Sequence, residues 1–356
     1  MPKVVLDMND RRPAWALPSW VAEEIREALP HGWSLQVLEK EADGSGDGIG
    51  TLDQELVDAI QDAEIYLGFG VPSLLLREGP HLKWIHSGAA GVGSALSSEM
   101  LASPVLFTNS SGIHGPPMGD TALAMILHFA RGLDFALANM FEGRWDTGPF
   151  YASDHPLVEL AHSTVGIFGF GGVGREVARR VLALRASVLA YDRGPGASYR
   201  EDRFPVSREG DLSAPVLCHL HGEAGFHRLL RESDFLVLTA PETEETREAF
   251  DRKALSRMKA SAVLINLSRG NLVVEDALVE ALKSGRLRGA GLDVYWEEPL
   301  PEGHPLWELP NVIMTPHVSA VTRGFWRRQA DLIEENLRRY FREEPLLNLV
   351  DKEAGF

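Results

Sequence analysis

Along the chain, short apolar runs alternate with stretches in which apolar residues recur every three or four positions. In the first third, Val4–Leu6, Leu35–Leu38, Ile65–Gly68, Leu82–His86 and Val105–Thr108 read as strands, and Trp20–Leu29 and Leu52–Ile60 as helices. Glu41–Gly50, rich in Gly, Asp and Ser, reads as an exposed loop. From Pro117, a residue suited to a first helical turn, Leu123, Ile126, Leu127 and Ala130 fall at helix spacing. A second series follows, with strands at Thr164–Phe168, Val188–Tyr191, Phe235–Thr239, Val263–Asn266, Ala290–Val294 and Val312–Thr315 and helices at Arg175–Leu184 and Leu278–Leu282. Phe325–Phe341 predicts a last helix and Leu346–Val350 one more strand. This rhythm predicts two doubly wound parallel α/β sheets, and no repeat or low-complexity tract interrupts it.

A chain of 356 residues suits two domains, each large enough for its own core. Lys and Arg number 35 against 51 Asp and Glu, a net charge of −16 that repels a nucleic-acid backbone and an anionic membrane alike. The lone Cys218 cannot form an internal disulfide and fits a reducing compartment. The start, MPKVVLDMND, lacks an apolar signal core, and no apolar run approaches the roughly 18 residues of a membrane span. A cytoplasmic protein without nucleic-acid or membrane partners is expected.

The strand Thr164–Phe168 runs into Gly169-Phe170-Gly171-Gly172-Val173-Gly174 and then a helix, which places GxGxxG in the context a dinucleotide requires. Gly169 permits the tight turn, Gly171 lets backbone approach a pyrophosphate, and Gly174 lets helix pack on strand. The next strand ends at Asp192, where a carboxylate can bind the adenosine ribose hydroxyls and repel a 2′-phosphate. The neighbouring Arg193 would attract that phosphate, but the acid favours NAD over NADP.

Three later strand ends carry ionisable groups. Arg269 follows LINLS, Asp293 and Glu298 lie in GLDVYWEEP, and His317 ends TPH. Ligands of open α/β sheets bind beyond the carboxyl ends of the strands, so Arg269, Asp293 and His317 should converge on one crevice. With GFGGVG, SRG, LKWIHSGAAGV (Leu82–Val92) and TNSSG (Thr108–Gly112), these segments resemble the D-isomer-specific 2-hydroxyacid dehydrogenase family across most of the chain.

The resemblance implies a Rossmann NAD-binding domain (114–318) inserted in a flavodoxin-like substrate domain (1–113 and 319–356), a homodimer, and hydride exchange between NAD(H) and a small 2-keto acid or D-2-hydroxy acid such as glyoxylate or hydroxypyruvate. It gives Arg269, Glu298 and His317 as the catalytic set. In chemical terms, His317 protonates the keto oxygen, Glu298 orients the ring and raises its pKa, and Arg269 forks onto the substrate carboxylate and keto oxygen. The amides of Ala89, Ala90 and Gly91 clamp the carboxylate by resemblance. Thr239, Ala240 and Pro241 wall the adenine, Thr246 lies near the phosphates, and Leu267, Ser268, Asp293, His317 and Ala320 line the nicotinamide end. Two other readings share the fold: an anion dehydrogenase acting on phosphite, and an NADH-responsive regulatory binding protein. The formate branch carries glutamine where this chain has Glu298.

The stretch 194–234 exceeds the usual connection between strands and reads as an insertion. Its Cys218, His219, His221 and His227 lack the paired spacing of a metal site, so no metal is expected. Trp145, Tyr151 and His155 read as packing residues. Phe129, Phe135 and Met140 put apolar groups on more than one side of their helical segment, as a symmetric dimer requires.

Overall fold

The computed structural model describes residues 1–41, 52–153, 155–192, 194, 202–205, 217–353 and 355. Residues 42–50 of the expected loop, Arg193, and Pro195 and Gly196 of the expected insertion lie outside them. In chain order the first elements are β1 (Lys3–Asp7), α1 (Ser19–Ala28), β2 (Ser34–Val37), α2 (Gln54–Ile60), β3 (Ile65–Gly68), α3 (Leu75–Glu78), β4 (Trp84–Ser87), α4 (Ser98–Ala102) and β5 (Leu106–Asn109). There follow α5 (Gly115–Ala130), α6 (Leu133–Phe141), α7 (Gly148–Tyr151), β6 (Thr164–Phe168), α8 (Gly172–Ala183), β7 (Ser187–Tyr191), β8 (Leu217–Leu220), α9 (Gly222–Glu232) and β9 (Phe235–Leu238). The last are α10 (Arg252–Arg257), β10 (Val263–Asn266), α11 (Glu275–Lys283), β11 (Gly289–Leu292), β12 (Val312–Met314) and α12 (Phe325–Phe341).

Two compact units result. One comprises Met1–His114, Arg200–Val206 and Val321–Phe356, the other Gly115–Tyr199 and Ser207–Ala320. The first unit holds a parallel sheet of order β2-β1-β3-β4-β5, the flavodoxin-like winding. Val4, Val5 and Leu6 are fully buried, so successive residues of one strand are covered on both faces. α12 turns Phe325, Trp326, Gln329, Ala330, Ile333 and Leu337 inward at helix spacing.

Leu346–Val350 forms no strand; only an isolated antiparallel bridge joins Leu349 to Thr108. Asn348 adopts a left-handed φ of 57° that interrupts the extended run, and side chains supplement the few backbone bonds, such as Val350 N to Phe107 O at 2.8 Å. Buried Asn336 on α12 donates to Leu347 O (3.0 Å) and accepts from Leu347 N (2.7 Å). Asn348 Oδ1 also accepts from Phe204 N at 2.9 Å, which draws 202–205 into this unit.

The second unit is a seven-stranded parallel sheet, β12-β11-β10-β9-β6-β7-β8. Strand order reverses between β6 and β9, the switch point at which doubly wound sheets bind ligands. From Leu217 onward the expected insertion is a regular strand and helix: β8 pairs in parallel with β7, and α9 packs Leu229 and Leu230 into the core. The run Leu217-Cys218-His219-Leu220 carries polar residues because β8 is an edge strand that is only partly buried.

α8 packs on α5 through glycine and through Arg180, which pairs with Glu176 within α8 and reaches Asp120 of α5. Arg180 donates to Glu176 Oε2 (2.7 Å), to Asp120 Oδ1 (2.7 Å) and to Pro116 O (2.9 Å). A Cβ at Gly115 would press on Glu176 and the Gly172 carbonyl, so the helices approach this closely only without a side chain there. Phe129 is buried in this core, and Arg288 lies over the Phe135 ring at 4.8 Å. Of the three apolar residues expected on several sides of this segment, Phe129 is thus buried within the unit and Met140 is 61% exposed. Trp145 and Tyr151, expected to pack, are exposed, Trp145 by 96%. Among the described residues no single helix is long and apolar enough to cross a membrane, and no cluster of His, Cys, Asp and Glu is arranged to hold a metal.

Candidate active site

The glycine motif forms the turn from β6 into α8. Gly169 has φ 96°, and a Cβ there would lie 2.5 Å from Ala240 N and Cα, so the first glycine sets both a left-handed turn and the close approach of β6 and β9 loops. A Cβ on Gly174 would strike the Gly169 carbonyl and Ile167, as helix-on-strand packing requires. Gly171, the N-cap of α8, has open space around its missing Cβ. No side chain caps α8, so its first amides present a positive helix end to that space. This cradle fits a dinucleotide pyrophosphate, with Phe170, Gly172 and Val173 around it.

Thr239 Oγ1 donates to Gly169 O at 2.6 Å and locks the two loops together. Thr246 Oγ1 donates to Pro241 O at 2.7 Å and closes the turn 241–246. Asp192 follows β7 at the same carboxyl edge, its amide held by Leu220 O of the edge strand at 3.0 Å.

Arg269 is aimed by a turn that Asn266 builds. The buried Asn266 accepts from Ser268 N (3.0 Å) and donates to Arg269 O (2.9 Å), and Ser268 Oγ donates to Ala240 O. Leu267 is buried within this turn. Arg269 Nη1 donates to Ser268 O at 2.8 Å, which fixes one arm of the guanidinium. Gly270 packs its backbone against Tyr295 and Trp296, where a Cβ would collide with main-chain atoms. Arg269 is thereby brought beside the loop that carries Glu298.

His317 Nδ1–H donates to Glu298 Oε2 at 2.7 Å, and Glu298 Oε1 accepts from Tyr295 N at 3.0 Å. The hydrogen bond to Glu298 is the largest influence on His317 and raises its pKa above the ordinary imidazole value, against burial and the Arg269 charge. Burial acts to raise Glu298, but hydrogen bonds from His317 and Tyr295 N–H, with the His317 and Arg269 charges, hold it below the ordinary carboxyl value.

Asp293 is fully buried. Its Oδ1 accepts from Thr315 Oγ1 (2.6 Å) and Val318 N (2.9 Å), its Oδ2 from Ser319 N (3.0 Å), and its carbonyl from His317 N (2.9 Å). It therefore organises the whole 315–319 loop and holds His317 at a left-handed φ of 53°, a conformation uncommon outside glycine. Sequence reasoning marked Asp293 but missed Asn266, Gly270, Tyr295, Thr315 and Ser319. A serine two positions after an asparagine at a strand end was the available signal for the Asn266 turn. Ala320 ends this unit, directly after the loop.

In the first unit, the loop after β4 carries Ala89, Ala90 and Gly91. Ala89 N donates to Ser87 Oγ at 3.2 Å, so of the three expected amides this one is already engaged. Ala90 is exposed and Gly91 partly so.

Residues 123–319 match the profile of the D-isomer specific 2-hydroxyacid dehydrogenase NAD binding domain. The chain is 34% identical to a glyoxylate reductase of Thermococcus litoralis over 79% of its own length and 80% of that protein's. This chain belongs to the D-isomer specific 2-hydroxyacid dehydrogenase family. The family assignment makes it an oxidoreductase that interconverts 2-hydroxy acids and 2-keto acids by exchanging hydride with a nicotinamide cofactor. Two solved members share the fold. A Xanthobacter autotrophicus dehydrogenase in complex with NADPH and MES superposes with TM-score 0.77 at 27% identity, covering 100% of this chain and 99% of that one. A glyoxylate/hydroxypyruvate reductase of Sinorhizobium meliloti, in complex with NADP and sulfate, gives 0.74 at 25% identity with full coverage of both chains.

Within this family the paired Glu298 and His317 predict a specific pH response. On the proposal that His317 is the proton donor, reduction needs imidazolium, so its rate falls as pH rises through the His317 pKa, which Glu298 raises. Glu298→Gln is expected to move the alkaline limb of the reduction profile to lower pH, and with it the acid limb of oxidation, which needs neutral imidazole. Rate profiles in both directions check this; unchanged limbs would show that Glu298 does not set the ionisation.

Proposed function

We propose that this enzyme reduces small 2-keto acids of the glyoxylate and hydroxypyruvate class with NADH, giving the D-2-hydroxy acid. The observation that carries the reading is the His317–Glu298 pair beside Arg269, at the carboxyl edge of the sheet whose switch point opens on the uncapped end of α8. The amides of 170–174 hold the pyrophosphate, Asp192 the adenosine ribose, Thr239–Pro241 and Thr246 the adenine side, and Leu267, Ser268 and Ala320 the nicotinamide end. Asp293 Oδ2 accepts one bond from Ser319 and keeps a lone pair for the carboxamide. The bound cofactor supplies hydride to the keto carbon.

His317 does the proton work. With Nδ1 committed to Glu298, Nε2–H is the donor to the keto oxygen as that oxygen gains charge. Arg269 binds the keto acid and stabilises the same developing charge. The free amides of Ala90 and Gly91 take the carboxylate. NADH consumption with glyoxylate and hydroxypyruvate tests the reading.

Cofactor choice rests on Asp192. The NADPH and NADP held by the two solved relatives favour a second reading, in which this chain also takes the phosphorylated cofactor. We expect the wild type to prefer NADH, and Asp192→Ser to raise the NADPH-to-NADH ratio of kcat/KM by about 10- to 100-fold, the scale of a removed charge repulsion against phosphate. A wild type that prefers NADPH would reject Asp192 as the selector.

A homodimer is proposed on the exposed apolar residues of α6 and the segment after it: Leu133, Leu137, Met140 and Phe141, the last 83% exposed, with Trp145 and Tyr151. Isolated apolar residues are ordinary on a surface, but a contiguous set of this size calls for a partner. Sedimentation of the wild type should give a dimer, and a Met140→Asp, Phe141→Glu double variant a monomer; an unchanged sedimentation coefficient would place the interface elsewhere. A cytoplasmic location, where Cys218 stays reduced, completes the proposal.

A further inference from the structure

The loop Ser87–Gly91 is held by its carbonyls. Asn109 Nδ2 donates to Ala90 O (2.9 Å) and Ser110 N to Ala89 O (3.1 Å), while Ser110 Oγ lies 3.0 Å from Ser87 O. In a trans peptide the N–H points opposite to the C=O of the preceding residue. Tying down the carbonyls of Ala89 and Ala90 on one side therefore turns the amides of Ala90 and Gly91 to the other.

Ser110 is fixed in turn from the return helix. Gln329 of α12 accepts from Ser110 Oγ at 2.8 Å and donates through Nε2 to His86 Nε2 at 2.8 Å. The His86 proton then sits on Nδ1 and is donated to Thr108 Oγ1 (2.8 Å), which also accepts from Trp84 Nε1 (2.9 Å). Burial pushes His86 down to about 3, which keeps the ring neutral and able to accept from Gln329. His86, Thr108, Asn109, Ser110 and Gln329 are at most 1% exposed, so water cannot replace a lost partner.

We propose that Gln329 is a positioning residue for keto-acid binding: through Ser110 it holds the peptide planes of the β4 loop so that the Ala90 and Gly91 amides converge on the substrate carboxylate. This rests on the reading that those amides bind that carboxylate. Gln329 touches neither substrate nor cofactor, so the expected signature is in KM alone.

The test uses the full chain with glyoxylate and hydroxypyruvate. Gln329→Leu keeps the volume and removes both hydrogen bonds. It should raise the keto-acid KM about tenfold, the effect of one misaligned hydrogen bond to a charged group, with kcat and the NADH KM little changed. Gln329→Glu keeps the acceptor for Ser110 and lets His86 move its proton to Nε2, so it should return KM to within about threefold of wild type. A purely structural role would lower Tm and leave KM alone; a folded Gln329→Leu with wild-type KM overturns the proposal. If Gln329→Leu does not fold, Ser110→Ala carries the same expectation and the same refutation. Ala90→Pro removes one of the amides themselves. If it leaves KM unchanged, the amide reading falls; if it raises KM while Gln329→Leu does not, positioning by Gln329 alone falls.

Discussion

Replacing His317 with alanine is expected to lower kcat for keto-acid reduction by about 10³- to 10⁴-fold, the upper range of general acid–base catalysis. NADH affinity should stay within about threefold, because the pyrophosphate cradle at Gly169–Gly174 is built by another part of the sheet. The large effect follows from how much structure serves one ring. Asp293 fixes the 315–319 backbone through four hydrogen bonds, Glu298 fixes the ring through Nδ1, and Nε2 is left as the single proton donor. The loss should be nearly pH-independent, since the group whose titration shaped the profile is gone. Single-turnover rates with saturating NADH check it. A His317→Ala enzyme retaining a tenth of wild-type kcat would show that the proton comes from elsewhere.

Arg269→Ala is expected to cost about 10³-fold or more in kcat/KM, through both a higher keto-acid KM and a lower kcat. A guanidinium that binds the ground-state anion and also stabilises charge growing on the keto oxygen contributes to both constants. Arg269→Lys should recover only part, because an ammonium on a flexible stem cannot reproduce a planar fork already held by its bond to Ser268 O. Removal of Arg269 also removes a positive charge that opposes imidazolium, so His317 should titrate at higher pH in Arg269→Ala. Steady-state constants and pH profiles of the two variants check this. A KM change without a kcat change would restrict Arg269 to anion binding.

Much of this is legible in the amino-acid sequence, for local reasons. Thr164–Phe168, Val263–Asn266 and Phe325–Phe341 have the boundaries their apolar patterns predict, because each buries a regular face. The edge strand β8 was not legible: half exposed, its Cys218 and His219 break the apolar run. Leu346–Val350 looked like a strand, but Asn336 and Asn348 hold it through side-chain amides that periodicity does not register. In the site, motif and order pointed to Arg269, Glu298 and His317. The residues that hold them lay hidden in packing. Gly270 matters because Tyr295 backbone lies against it, and Asp293 acts on donors 22 to 26 residues further along.

The most direct test of the whole account is NADH oxidation by the purified enzyme with glyoxylate and hydroxypyruvate, with chiral analysis of the product formed from a prochiral keto acid such as phenylpyruvate. The account predicts turnover dependent on Arg269 and His317, with only the D-hydroxy acid formed. Intact NADH binding without turnover of any 2-keto acid, or formation of the L-isomer, would contradict it.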